Sequence, residues 1–201
     1  MIQPTTSPTS IETDWRCRRE RYLRTEYGGV GLEPLAVDED LEIGKRIHLG
    51  LEAFFGAAYS TEERLINALE AVRRVTFLDP WQTWLEAMLT AWALRVWPEL
   101  DKRFEIVLVE QMLHFFHGGV KYRCKPDLVL RSRADRSYWV YDFKSFRYWD
   151  NKKWLRAIQL QIGTRAAEER LSGVEHPVEV SGTIIQGLYK GQQRKDKFYH
   201  P

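Results

Sequence analysis

Residues 125–144, KPDLVLRSRADRSYWVYDFK, constrain this chain more than any other stretch. They read as two short strands joined by a polar turn containing Ser132, Ala134, Asp135 and Ser137, and each strand carries an acid where an apolar residue is expected. The second strand, 138–144, is rich in aromatic and β-branched residues and apolar on both faces until its end, the pattern of a buried strand. Side chains alternate along a strand, so Asp142 and Lys144 share a face. A carboxylate and an ammonium at the end of a buried strand are costly unless paired, hydrated or bound to metal. If the turn closes a hairpin, Asp127 comes near Asp142, and two carboxylates repel at short range. A divalent cation relieves that repulsion; a solvated hairpin end with an Asp–Lys ion pair is the alternative that these residues leave open.

The chain has 201 residues, enough for one domain with a substantial core. Its net charge of +2 does not announce a nucleic-acid binder, so any such surface must be a local patch. The eight tryptophans are expected to fill core and groove walls. Only two cysteines occur, Cys17 and Cys124, which argues against a disulfide scaffold and for a reducing compartment. No apolar run approaches membrane-spanning length, and the first residues lack the apolar centre of a signal peptide, so the expected setting is cytoplasmic.

Residues 1–10 are small, polar and proline-bearing and are expected to be a disordered tail, with residues 11–201 forming a single domain. A helical pattern over 11–24 mixes Trp15, Tyr22 and Leu23 with a run of arginines, either a solvated amphipathic face or a phosphate contact. After a loop with Gly28, Gly29, Gly31 and Pro34, a second helix spans 38–55. Its apolar stripe is Leu41, Ile47, Leu51, Phe54 and Phe55, and His48 borders it. Two further helices, from Ser60 or Thr61 to about Thr76 and over 81–96, form a helical insertion at about 60–97. The latter opens with Asp79-Pro80, stops before Pro98, and presents Trp81, Trp84, Leu85, Met88, Leu89 and Trp92 to the core.

The period then changes. Residues 104–116 read as a strand containing Glu110, His117-Gly118-Gly119 as a turn, and 120–124 as a strand leading into the hairpin, three antiparallel strands in succession. Lys121, Arg123 and Lys125 fall on one face of the middle strand, a row that is either merely solvated or borders a phosphate path. The loop with Arg147, Tyr148 and Trp149 either stacks bases and meets phosphates or packs on its neighbouring helix. A helix over 153–171 turns Trp154, Ile158, Ile162 and Ala166 inward with Gln161 on the border; a strand over 178–186 and a basic tail from Lys190 follow.

Pro126-Asp127, fourteen residues, then Asp142-Phe143-Lys144 resembles the signature of the PD-(D/E)xK nuclease superfamily. The helix with Gly44-Lys45-Arg46-Ile47-His48 is similar to the Gly-x-x-x-His helix of its RecB-type and phage-exonuclease-like branch, which implies that His48 reaches the metal site. The segment WRCRRERYLR resembles the entry helix of RecB-type members, whose cysteine in the iron-sulfur branch is the first of four ligands; two cysteines cannot complete such a cluster, so none is expected. The resemblance implies an α/β (α+β) restriction-endonuclease-like αβββαβ core, with a mixed central sheet flanked by helices and an extra helical insertion. The order of elements read from periodicity agrees with it.

The resemblance further implies a metal-dependent nuclease, an exonuclease on DNA ends, in recombination, repair, phage or defence processing. Asp127 and Asp142 would hold Mg²⁺ or Mn²⁺ with His48, the Phe143 carbonyl and Glu110 as further contacts; Lys144 and Gln161 would complete the catalytic set, with Gln159 as a competing match. Arg123, Lys125, Arg147, Tyr148, Trp149 and Lys190 are the nucleic-acid-binding candidates. DNA is the expected partner, with a second copy or a recombination or defence protein beside it and no membrane. The alternatives are a catalytically silent nucleic-acid-binding subunit and a nuclease acting on RNA.

Overall fold

Two hydrophobic periodicities divide the chain, near 3.6 in its first half and 2 in much of its second, and the fold keeps them apart as a helical layer and a sheet. The computed structural model describes residues 5–27, 31–32, 39–56, 60–74, 81–146, 158–173 and 176–189. A short strand β1 (Thr5–Thr6) and two helices, α1 (Pro8–Arg16) and α2 (Arg18–Thr25), come first. Four helices follow: α3 (Glu39–Gly56), α4 (Thr61–Arg74), α5 (Gln82–Arg95) and α6 (Trp97–Arg103). Then come β2 (Phe104–Val109), β3 (Leu113–His117), β4 (Val120–Cys124), β5 (Leu128–Ser132) and β6 (Tyr138–Phe146). The last elements are α7 (Ile158–Leu171) and β7 (Val180–Tyr189). No helix among the described residues is long and apolar enough to cross a membrane.

Residues 43, 47, 51 and 54 return to one side of α3, and all four are buried. Leu41, expected in that stripe, lies off it and is 56% exposed; Ile43 takes its place. The rings of Phe54, Phe55, Trp92 and Trp97 meet edge-on at 5.2–5.7 Å and receive Phe143 from the sheet, 5.4 Å from Trp92. Burying a side chain such as Phe143 stabilises by about 1.5–3 kcal/mol. Its seat in the helical layer fixes the register of its neighbours Asp142 and Lys144, which alternate to the other face.

The central sheet has the order β2-β5-β6-β7, antiparallel between β2, β5 and β6, and parallel between β6 and β7. The parallel return needs a crossover, which α7 supplies. Leu128, Leu130, Tyr141 and Phe143 face the helical layer, whereas Val129, Val140 and Val180 pack with Ile162, Ala166 and Ala167 of α7. The chain is thus an α+β fold with a mixed central sheet flanked by helices, in the αβββαβ order.

The strands are divided differently from the expectation. One strand over 104–116 is in fact β2 and β3, because Glu110 adopts a φ of 45° and ends the ladder. The strand 120–124 does not continue into the hairpin, because Pro126 lacks an N–H and bends the chain ahead of Asp127. As a result β3 and β4 leave the central sheet and form a second one of order β1-β4-β3.

Three further corrections concern the helical half. Residues 5–10, expected in a disordered tail, are structured: Thr5 and Thr6 pair in parallel with Lys121 and Tyr122, and Ser7 caps α1 by accepting from the Ser10 N–H at 3.3 Å. The Ser-Pro-Thr-Ser stretch that looks like a tail is a helix cap followed by a first-turn proline. The expected helix over 11–24 breaks at Cys17, whose φ of −163° is extended backbone. The helix expected to stop before Pro98 does end at Arg95, but Pro98 also opens an additional helix, α6.

Candidate metal centre

The end of the central sheet nearest α3 collects three acids from three elements. Glu110 follows β2, Asp127 precedes β5, and Asp142 lies near the end of β6. The Glu110 N–H donates to the Asp127 carbonyl at 2.9 Å, tying the ends of the two antiparallel strands together. A non-glycine residue at positive φ costs on the order of 1–3 kcal/mol and persists where surroundings enforce it. Here that conformation ends the strand and leaves the Glu110 carboxylate beside His48, between imidazole and lysine.

Asp127 is 5% exposed. Its Oδ2 accepts the Phe143 N–H at 2.5 Å, and its Oδ1 lies 3.1 Å from His48 Nδ1. The same imidazole nitrogen lies 3.3 Å from Glu110 Oε1, so His48 bridges two carboxylates. Burial disfavours the imidazolium, but its hydrogen bonds to Asp127 and Glu110 outweigh burial and raise the pKa to about 10. Glu110 is in turn held below the usual carboxylate range: burial opposes ionisation, and His48 and Lys125 more than compensate. Lys125 Nζ is 2.8 Å from Glu110 Oε2 and 3.7 Å from Glu52.

Asp142 is held differently. Lys144 Nζ donates to its Oδ1 at 2.8 Å and lies 2.7 Å from Oδ2 as an ion pair, while Gln159 Nε2 approaches Oδ1 at 3.4 Å. Oδ2 is buried, and its contact is with the Lys144 ammonium. Burial pushes the Asp142 carboxyl upward, Lys144 offsets part of that, and repulsion from Asp127 adds to it.

His48, Glu110 and Asp127 each offer a ligand atom, and these atoms lie within 4.8 Å of one another. Two ligands of one hard cation, each at about 2.1 Å, can be at most about 4.2 Å apart, so contraction by a few tenths of an ångström suffices. Carboxylate oxygens with one imidazole suit Mg²⁺ or Mn²⁺. The buried Oδ2 of Asp142, held by the Lys144 ammonium, is a further oxygen that a cation could share. The residues present fit a divalent metal ion.

A family model of the PD-(D/E)XK nuclease superfamily matches residues 5–198. The chain belongs to that superfamily. No curated protein matches it.

The structure brings together His48, Glu110, Asp127, Asp142 and Lys144, but not as expected. The tight cluster is His48, Glu110 and Asp127, while Asp142 is occupied by Lys144. Phe143 donates its N–H to Asp127. Gln161 is exposed and turned out of the site, whereas Gln159 touches Asp142. Lys125, expected on a phosphate path, is paired with Glu110. Arg123 is exposed and, with Lys125, Pro126, Asp142 and Gln159, lines a cleft of about 450 Å³. Arg147, Tyr148, Trp149 and Lys190 lie outside the described residues. Two features were missed. Glu52 stands one helical turn after His48 and shares its face, and Ser7–Thr9 of the supposed tail line the same cleft. The four-residue spacing of His48 and Glu52 was the available signal for the first.

Proposed function

We propose that this chain is a Mg²⁺- or Mn²⁺-dependent deoxyribonuclease that hydrolyses DNA from its ends. The observation that carries this reading is the donor cluster of His48, Glu110 and Asp127 beside the buried Asp142–Lys144 pair, of which Asp142 also lines the cleft of about 450 Å³. A divalent cation held there supplies Lewis acidity toward the scissile phosphate and lowers the pKa of a bound water.

His48, Glu110 and Asp127 would hold the ion, with Asp142 beside them as a further carboxylate. Lys144, beside Asp142, would orient or deprotonate the attacking water, or neutralise charge as the in-line displacement proceeds. Gln159 fixes the Asp142 carboxylate and takes the positioning role expected of Gln161. Lys125 balances Glu110 in the metal-free protein. Hydrolysis adds water across the phosphodiester, and by family analogy the phosphate stays on the 5′ side. The two unbridged cysteines fit a cytoplasmic setting, in which the enzyme processes DNA ends during recombination, repair or defence.

Purified protein incubated with linear duplex, circular duplex, single-stranded DNA and RNA, in Mg²⁺, Mn²⁺ or EDTA, tests the reading. Metal-dependent loss of linear but not circular DNA is expected. Binding with no cleavage in either metal would identify a silent binding subunit, and cleavage of RNA alone would move the substrate class.

A further inference from the structure

The β3–β4 hairpin has two chemically distinct faces. Cross-strand partners share a face, and the register pairs His114 with Arg123 and Phe116 with Lys121. The alternate residues Leu113, Phe115, Tyr122 and Cys124 turn inward, with Phe115 stacked on Tyr122 at 4.9 Å. The outward four are therefore one imidazole, one aromatic ring and two cations, without an acid among them. Phe116 is 57% exposed. Lys125, Lys144 and Arg131 all have carboxylate partners, but Lys121 and Arg123 have none among the described residues. At its Arg123 end this face runs into the cleft that holds Asp142.

Resting on the nuclease reading, we propose that this outward face is a platform for single-stranded nucleic acid, which it feeds toward Asp142. Phe116 stacks on an unpaired base, and Lys121 and Arg123 hold successive phosphates. Two residues of strand advance about 7 Å, roughly the spacing of phosphates in a stretched single strand. A protruding ring selects this occupant, because stacking needs a base whose face is free, whereas a duplex offers this surface only its backbone. The uncompensated positive charge supplies the complementarity.

The test measures anisotropy of a labelled oligothymidylate and a labelled blunt duplex of equal length with the full chain in EDTA. Phe116→Ala is expected to weaken oligothymidylate binding about tenfold and leave duplex binding within about twofold, while Phe116→Trp restores the single-strand affinity. Lys121→Ala with Arg123→Ala is expected to reduce the single-strand salt slope by about 1.4. Equal effects of Phe116→Ala on both ligands, or no effect on either, would overturn the platform. Cleavage by the wild-type chain is scored in parallel with Mg²⁺. Intact cleavage with no hairpin effect sinks the platform alone; a hairpin effect with no cleavage upholds the platform and sinks the hydrolase reading alone.

Discussion

Glu105 and Glu110 stand at opposite ends of the same region of β2, and their surroundings show what separates an ion pair from a metal site. Glu105 has three guanidiniums around it: Arg131 Nε donates to it at 2.8 Å, and Arg136 and Arg133 lie at 3.1 and 3.5 Å. Water reaches that end freely, and Arg131 above all holds the Glu105 carboxyl below its ordinary range. At the other end the largely buried carboxylates of Glu110, Asp127 and Asp142 face His48, Lys125 and Lys144, so neutrality requires a proton on the imidazole. One end is saturated by groups that cannot lose their charge. The other is balanced by groups that a divalent ion can replace, with Asp142 held by Lys144 at 2.7 Å.

If that contrast is functional, substitutions at the two ends should differ most in turnover. Asp127→Ala is expected to abolish metal-dependent cleavage, and Lys144→Ala to lower kcat on the order of a thousandfold, both with far-ultraviolet circular dichroism unchanged. Full turnover in both variants would reduce the site to a structural ion-pair cluster. Asp142→Asn should separate function from stability. The folded-state pKa of Asp142 is raised by burial above its unfolded value, so its ionised form costs stability. That cost is absent below the unfolded pKa and grows as pH rises through it toward the folded value. The metal-free variant should therefore gain melting temperature relative to wild type between about pH 3 and about pH 7, while losing activity. A melting temperature that falls across this range would show that the Lys144 pair outweighs the burial cost.

A smaller effect tests the imidazole proton directly. Metal-free His48 is protonated up to about pH 10, and ligation needs the neutral ring, so binding must displace that proton. Calorimetric titration with Mn²⁺ in two buffers of different ionisation enthalpy should show release of about one proton per ion, and affinity should rise with pH through the neutral range. Identical heats in the two buffers would remove His48 from the ligand set.

Much of this was legible from local pattern. Strand alternation placed Asp142 and Lys144 together, and helical period placed Ile47, Leu51 and Phe54 inside. Contacts spanning long stretches of chain carry no such signature: His48 and Glu110 meet across 62 residues. The choice between Gln159 and Gln161 was nearer to hand. Ile162, Gly163 and Ala166 are buried, and Gln159 stands three, four and seven residues before them on the same face. Resemblance and steric need also parted. A Cβ at Gly44 would meet Ser145 Oγ at an ordinary 3.7 Å, but one at Gly50 would press on Leu89 and Val72 at 2.7 and 2.9 Å. Glycine is thus demanded where α3 crosses α4 and α5, not where the family pattern places it.

The smallest effect is expected at the saturated end. Glu105→Gln removes a carboxylate from three arginines that remain hydrated, so the three cations keep water as a partner and lose only a screened attraction. Cleavage should stay within about twofold of wild type, because nothing at that end touches the acids. Melting temperature should fall slightly at low salt, and the difference should shrink as ionic strength rises and the Debye length contracts from about 30 Å to about 8 Å. A loss of cleavage comparable to that of Lys144→Ala would mean that the two ends are coupled through the sheet, and the contrast between them would no longer explain why only one binds metal.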